Sequence, residues 1–432
     1  MSTHRKLPEG KIGRIVRLAG LGARTGAGLL LGRDAAHQVH LTADVLGTLR
    51  GLAAKVGQMA SYVDGVVPEE HRDVYEAALG RLRAAAPTSA SVDIRRVIEE
   101  DLGAPVDRLF ARFDDEPIAS ASIGQVHRAV LEDGLEVAVK VQHPGIRKAV
   151  ESDLDNAGML EGIVGALGAR KLGSKRVIAE VRSRFLEELD YELEARRQTA
   201  FRELHAGDDE IRVPRVIGER SAARVLTTEL VLGVGLDEAA RAPEAERRAY
   251  CRTLWRFVFK GNLVGGMFNA DPHPGNYVFQ GDGRVAFLDF GCVQPLEGHR
   301  LDDARRIHSA ALRRDEAAFR EAAKLVLETR GGHWEKIALE YSRLCFEPIF
   351  TSPYRMTRTY SASLVRRLVG FRDEMSKLQE DFVPLPPGML FMNRLQFGFY
   401  SVLARFDVEV DYAAVEREFL APILGEPLLP AT

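Results

Sequence analysis

Apolar residues recur every three or four positions from Thr42 to Tyr62, where Val45, Leu49, Leu52, Val56 and Met59 form one continuous seam. That spacing predicts an amphipathic helix, with Thr42 as N-cap and Asp44 as a favourable acid in its first turn. The helical pattern continues from Pro68 to Gly103, broken over Ala84–Ser91, and its last helix, Asp93–Asp101, is closed by Gly103. Between Pro117 and Pro144 the pattern becomes strand-like. Val126–Leu131 and Leu135–Val141 flank Glu132-Asp133-Gly134, a hairpin signal. Arg176–His205 predicts a long charged helix with Val181, Phe185, Leu189 and Leu193 as its apolar stripe, and Val225–Gly233 an apolar strand running into glycine. A second hairpin is expected where Tyr277–Phe279 and Val285–Leu288 flank Gln280-Gly281-Asp282-Gly283. After Pro295 the chain reads as helical, including Leu301–Leu327 and an amphipathic Met389–Phe406 interrupted by Arg394 and Arg405. The elements therefore predict an α+β protein: a small antiparallel sheet first, a helical body after it.

Length and charge bound the reading. A chain of 432 residues is too long for one ordinary core, so two lobes with appendages are expected. We read residues 1–40 as a basic arm, 41–112 as a helical extension, 113–232 as the smaller lobe with inserted helices, and 233–432 as the helical lobe. Hydrophobic content of 46% with 28% charged residues is that of a soluble globular protein, and a net charge of −3 argues against a nucleic-acid partner. Cys251, Cys292 and Cys345 are scattered, which fits a reducing, cytoplasmic compartment, and none has zinc-ligand spacing. The longest uncharged stretch, Phe382–Asn393, has twelve residues including three prolines, against the ~20 apolar residues a membrane-spanning helix needs. No signal peptide is expected. The first 33 residues carry seven Lys or Arg against one acid. Two readings stand for this arm: peripheral contact with an anionic membrane, or a solvated tail.

The candidate chemistry sits in Phe268–Gly291. Asp271-Pro-His-Pro-Gly-Asn276 places an Asp and an Asn five residues apart, and Asp289-Phe290-Gly291 follows Asn276 by thirteen. The intervening hairpin would return Asp289 beside Asn276. This is the layout of a kinase catalytic loop followed by its metal-binding segment, in which the first Asp meets the acceptor proton while the Asn and the second Asp hold Mg2+. Earlier in the chain, Ala119, Ser120, Ala121, Ser122, Ile123, Gly124 and Gln125 form a run of small residues whose backbone N–H groups could approach phosphates closely. Lys140, in Val137-Ala-Val-Lys140, sits where a kinase strand presents its phosphate-pairing lysine. Such a lysine needs an acid, and Glu188 and Glu194 are candidates. On one continuous helix they would point about 120° apart, and so serve two lysines, Lys140 and Lys55, rather than one; a solvated acidic face is the plain alternative. Glu229 and Val231 fall where a kinase has its adenine-binding hinge. There is no GxGxxG before Lys140 and no A-P-E segment after Gly291 to dock a peptide.

Taken in order, Lys55-Val-Gly-Gln58, Ala119–Val126, Val137–Lys140, Glu188…Glu194, Asp271–Asn276 and Asp289–Gly291 resemble the UbiB/AarF family of atypical kinases, from about residue 40 to 300 and more weakly to about 420. The resemblance implies a protein-kinase-like two-lobed fold with its helical N-terminal extension packed over the active site. It implies ATP and Mg2+ as cofactors, Lys140 with Glu188 on the α/β-phosphates, Asn276 and Asp289 on the metal, and Asp271 as base. It also implies that Lys55 and Gln58 belong to a regulatory segment whose lysine reaches Glu194. The family looks like ATPases, or kinases of an unidentified small-molecule or lipid acceptor, linked to isoprenoid quinone biosynthesis and membrane lipid handling. A protein kinase acting in trans and a nucleotide-dependent switch are the alternatives. Three departures stand out: Ser120 replaces an alanine, Asn269 replaces the usual His before Asp271, and the paired hydrophobic helices that end many bacterial relatives are not expected here.

Overall fold

The computed structural model describes residues 88–120, 123–155, 179, 182–183, 185–296, 298–377 and 389–429. They fall into two compact units: one runs to Glu192 and takes in Ile217–Glu229, the other holds Leu193–Val216 and the chain from Leu230 onward.

The first unit opens with helix α1 (Ser91–Leu102), whose Ile94, Val97 and Ile98 are buried along one stripe. It stops where the spacing predicted. Gly103 takes φ 73°, a left-handed value that suits glycine, and its N–H caps the Glu99 carbonyl. A short turn α2 (Val106–Leu109) leads to β1 (Arg112–Phe113), β2 (Ala119–Ser120), β3 (Gly124–Val130), β4 (Glu136–Gln142) and helix α3 (Ile146–Leu154). After α4 (Tyr191–Leu204) and β5 (Ile211–Arg212), the chain returns as β6 (Val225–Glu229). The sheet is antiparallel in the order β1-β3-β4-β6, with β2 also on β3. Alternation along β4 decides what each face carries. Val137, Val139 and Val141 are fully buried with Ile94, Ile98 and Ala129, which leaves Lys140 on the opposite face.

Two expectations need correction here. The apolar strand ends at Glu229 rather than Gly233, and Leu232 is exposed. The helix over Arg176–His205 is not continuous: Glu188 and Leu189 lie in a turn and α4 begins only at Tyr191. Its cause is tertiary. The Leu189 carbonyl, which a helix would give to a later N–H, instead accepts from Gln142 Nε2 at 2.9 Å and Arg147 Nη2 at 2.8 Å. The Tyr191 N–H donates to the Ala223 carbonyl. The 120° relation between Glu188 and Glu194 therefore does not apply.

The second unit is built around α6 (Glu244–Leu263), which follows the short α5 (Leu236–Ala239) and buries Tyr250, Cys251, Leu254, Trp255, Phe257 and Val258. On it lie β7 (Met267–Asn269), β8 (Tyr277–Phe279), β9 (Val285–Phe287) and β10 (Val293–Pro295). They make two small sheets, β10-β7 and β5-β9-β8, with β5 parallel to β9 and the other pairs antiparallel. The β8–β9 hairpin forms as the sequence predicts. Helices α7 (His299–Leu312) and α8 (Glu316–Leu327) make up the helical sequence expected over Leu301–Leu327. The break comes at Arg314, with φ 57°, and at Asp315, whose side chain caps the N–H groups of Ala317 and Ala318. Helices α9 (Gly332–Cys345), α10 (Glu347–Phe350), α11 (Arg358–Lys377), α12 (Met389–Phe406) and α13 (Tyr412–Leu424) complete the unit, with β11 (Tyr354–Arg355) and β12 (Glu409–Val410) as a small antiparallel clip. Among the described residues, no helix is long and apolar enough to cross a membrane.

Candidate functional site

In the first unit, the small-residue run leads into the sheet. Ala119 pairs with Val126 and Ser120 with Gln125, while Ala121 and Ser122 lie outside the described residues. The Ile123 carbonyl accepts the His143 N–H at 2.9 Å. Gly124 is required by space: a Cβ there would run into the Val141 carbonyl and stand 2.8 Å from the Tyr191 hydroxyl. Gln125 is buried, and its side chain is engaged inside the protein. Its Oε1 accepts the Ser89 N–H at 2.8 Å and its Nε2 lies 2.8 Å from His127 Nε2. His127 Nδ1 is 2.8 Å from the Asp114 carbonyl, which can only accept, so the proton is on Nδ1 and Nε2 accepts from Gln125. Burial lowers the His127 pKa, against the opposing pull of that carbonyl. Ser89 Oγ also lies 2.9 Å from His143 Nδ1.

Lys140 projects from β4 so that its Nζ stands 5.0 Å from the centre of the Tyr191 ring, a cation–π distance. Tyr191 is fully buried, so the ring offers a fixed platform. Glu188 is buried in the turn just before it. Sequence reasoning passed over Tyr191, although it stands midway between Glu188 and Glu194. Glu229 ends β6 opposite Val137. Val231 follows outside any strand. Lys55 and Gln58 lie outside the described residues, while Glu194 is buried in α4.

The second unit brings together the other candidate residues. Asn269 pairs with Val293 at the end of β7, and the Ala270 N–H donates to the Cys292 carbonyl at 2.7 Å. The Asn269 side chain then ties two loops to each other. Its Nδ2 donates to the Asp289 carbonyl at 2.5 Å and its Oδ1 accepts the Asp271 N–H at 3.1 Å. The chain turns through a 3-10 helix, Pro274–Asn276, with the Gly275 N–H given to His273 Nδ1. Asn276 Nδ2 donates to the Asp271 carbonyl at 3.1 Å, and the Leu288 N–H donates to the Asn276 carbonyl at 3.0 Å. Asn276 and the strand leading to Asp289 are thus adjacent, as the hairpin predicted. Asp289 Oδ1 accepts the Gly291 N–H at 3.0 Å. Phe290 is fully buried, 5.2 Å from Phe201 and 6.3 Å from Phe257, and the Gly291 carbonyl accepts from Arg197 of α4. Burial, and then the negative charge of Asp271, push the Tyr277 hydroxyl well above its ordinary range.

Among the described residues, no three His, Cys, Asp or Glu side chains cluster as a metal site. Mg2+ does not need one, since it binds through one or two carboxylates plus phosphates and waters. With its nitrogen donated to Asp271, the Asn276 amide keeps its oxygen as an acceptor. Together with the Asp289 carboxylate that is a hard oxygen donor set, which suits Mg2+.

Residues 81–323 match the family described as the ABC1 atypical kinase-like domain. The chain is 36% identical over 249 residues to atypical kinase coq-8, mitochondrial, of Caenorhabditis elegans, covering 56% of this chain and 32% of that protein. It is 31% identical over 331 residues to atypical kinase COQ8B, mitochondrial, of Rattus norvegicus, covering 72% of this chain and 62% of that protein. The matches thus span between about a third and three-fifths of these curated relatives. A solved structure, the complex of Rv3197 with erythromycin from Mycobacterium tuberculosis, is 30% identical, with a TM-score of 0.59 over 92% of this chain and 98% of that one. The fold is therefore mixed α+β and kinase-like, and the chain belongs to the ABC1 atypical kinase-like family to which its motifs pointed.

Proposed function

We propose that this protein binds Mg2+-ATP and transfers its γ-phosphoryl group, either to water or to a small-molecule or lipid acceptor. The observation that carries the reading is the Asn269 tie, which holds the backbone of Asp271 and of Asp289 on one side chain. Phosphoryl transfer depends on positioning more than on covalent chemistry, and a fixed Asp271–Asn276–Asp289 group supplies positioning.

In this reading Asp271 accepts the proton of the attacking hydroxyl as its oxygen bonds to the γ-phosphorus and the P–O bond to the bridging β–γ oxygen breaks, with ADP leaving on that oxygen. Lys140, steadied by Tyr191 and answered by Glu188, neutralises the α/β-phosphates. The loop of Ala119, Ser120, Ala121, Ser122, Ile123, Gly124 and Gln125 contributes backbone N–H groups to the phosphates. It does so without the Gln125 side chain, which is engaged with Ser89 and His127. Glu229 and Val231 offer backbone groups to the adenine edge. Asn276 and Asp289 would hold Mg2+, which neutralises the charge developing on the phosphate oxygens. Lys55 and Gln58 act as a regulatory segment answered by Glu194. The resemblance implies an unidentified small-molecule or lipid acceptor, connected to isoprenoid quinone or membrane lipid metabolism, with peripheral contact to an anionic membrane as the place to meet a lipid one.

The test is γ-labelled ATP with Mg2+, with and without anionic vesicles. Asp271→Asn should spare nucleotide binding and lower release of label, while Asp289→Asn should abolish Mg2+-dependent binding. Normal Mg2+-ATP binding by Asp289→Asn would refute the assignment, and tight binding without any turnover in the unaltered chain would identify a switch.

A further inference from the structure

We infer that Gly398, in α12, is a positioning residue for the candidate catalytic loop: it is the seat against which Pro272 rests, and so helps fix where the Asp271 carboxylate stands. The inference rests on the reading of Asp271 given above. A Cβ on Gly398 would meet Pro272 Cγ at 2.5 Å, Cβ at 3.5 Å and Cδ at 3.7 Å. The proline ring therefore occupies the space that any side chain at 398 would need.

Glycine is a poor helix former, and Gly398 stands inside an 18-residue helix without a positive φ. Backbone freedom does not explain it; close approach does. Neither partner has room to retreat. Phe399 and Tyr400 are buried beside Gly398, their rings 6.0 and 5.9 Å from Trp255, and the Tyr400 hydroxyl donates to the Cys345 carbonyl. Further along α12, Phe406 lies 5.5 Å from Phe279 and 6.0 Å from Tyr250. On the other side, the residues around Pro272 are held by the Ala270 N–H on Cys292, the Asp271 N–H on Asn269 and the Asn276 N–H on His273. The proline ring is closed onto its own backbone, so beyond a change of pucker it cannot swing away from the helix. A methyl group at 398 therefore pushes on the loop. Helix α12 lies beyond the segment matched to the family, 81–323, so the C-terminal helices are drawn into the site by this contact.

The experiment is a double-mutant cycle in the full chain with Gly398→Ala, Pro272→Ala and both together. Pro272→Ala removes the Cγ that the new methyl would strike. Two readouts are taken: hydrogen–deuterium exchange of the peptide spanning 268–279, and kcat and KM for Mg2+-ATP. Gly398→Ala alone should raise exchange in that peptide and lower kcat about tenfold, about 1.4 kcal/mol, with KM nearly unchanged. In the Pro272→Ala background the same substitution should change kcat less than about twofold, about 0.4 kcal/mol, and leave exchange as it is. Equal losses in both backgrounds, or no change in exchange on Gly398→Ala alone, would overturn the seat. Should Gly398→Ala fail to fold, recovery of the fold by Pro272→Ala supports the contact and failure to recover overturns it. Coupling in exchange without any turnover in the unaltered chain would leave the seat standing and remove the phosphoryl-transfer reading.

Discussion

Replacing Asn269 tests the candidate site most directly, because one amide makes both connections. Asn269→Ala deletes a 2.5 Å donation to the Asp289 carbonyl and a 3.1 Å acceptance from the Asp271 N–H. A typical neutral hydrogen bond contributes about 1 kcal/mol net, and a partly buried group left unsatisfied costs more, so the loss should be about 2–3 kcal/mol. If the whole of it falls on the transition state, turnover drops roughly 30- to 150-fold. If it falls on the fold, the melting temperature drops by about 2–4 °C per kcal/mol in a domain of this size. Asn269→Asp sharpens the argument. It keeps the shape and the acceptor for Asp271, but sets a carboxylate oxygen against the Asp289 carbonyl where a donor stood. Despite being isosteric it should cost at least as much as Ala, and it should recover as acid restores an O–H donor. The assays are thermal unfolding and Mg2+-ATP turnover across pH 5–8 for the two variants. Wild-type stability and activity in Asn269→Asp would refute the tie.

Three further outcomes are expected. Tyr191→Leu removes the platform under Lys140, and with a cation–π contact of about 0.5–2 kcal/mol it should weaken binding of a fluorescent ATP analogue by about 2- to 30-fold; Tyr191→Phe keeps the ring and should stay near wild type, and equal losses would sink the cation–π account. Glu416 is fully buried and accepts from Trp255 Nε1 at 3.0 Å while facing His308 Nδ1 at 2.8 Å; Glu416→Ala orphans both and should lower stability by about 3–5 kcal/mol, whereas Glu416→Gln keeps an acceptor for Trp255 and should lose clearly less in denaturant titrations. For Asp208, burial alone would raise the pKa, but hydrogen bonds from His205 and Lys260 outweigh it and bring it from 3.8 to about 2. Its folded pKa lies below the unfolded one, so its stabilising contribution is present above about pH 4 and is lost as pH falls toward 2; Asp208→Asn should flatten the urea-midpoint profile in that window, and an unchanged profile would contradict the pairing.

Much of the fold was legible because local chemistry and tertiary demand agreed. Gly103 ended α1, the Glu132–Gly134 turn set the β3–β4 register, and α12 formed over Met389–Phe406 as the amphipathic pattern predicted. The break at Glu188–Asp190 was not legible: its charge and apolar stripe read as helix, while the residues that stop it, Gln142 and Arg147, are over forty positions away in sequence. The site divides the same way. Asp271, Asn276 and Asp289 stand out as candidates by spacing, since the chemistry proposed for them asks for those residue types. Asn269, Tyr191 and Gly398 do not, because each acts on a neighbour chosen by the fold. In the sequence Asn269 reads only as a missing histidine, and the tie it makes shows what a side-chain amide does in that place.

The Ser89–Gln125–His127–Asp114 relay has a practical consequence. Each donor in it points the same way, so the His127 ring is held in one tautomer, with an imidazole N–H buried against a carbonyl. Such a proton exchanges slowly with water and gives a resolved signal in a ring-nitrogen NMR spectrum. The strand that carries Gly124 and Gln125 therefore contains its own reporter. Adding nucleotide to the intact protein and watching that one resonance would register a disturbance at the root of the small-residue loop without a label or a substitution.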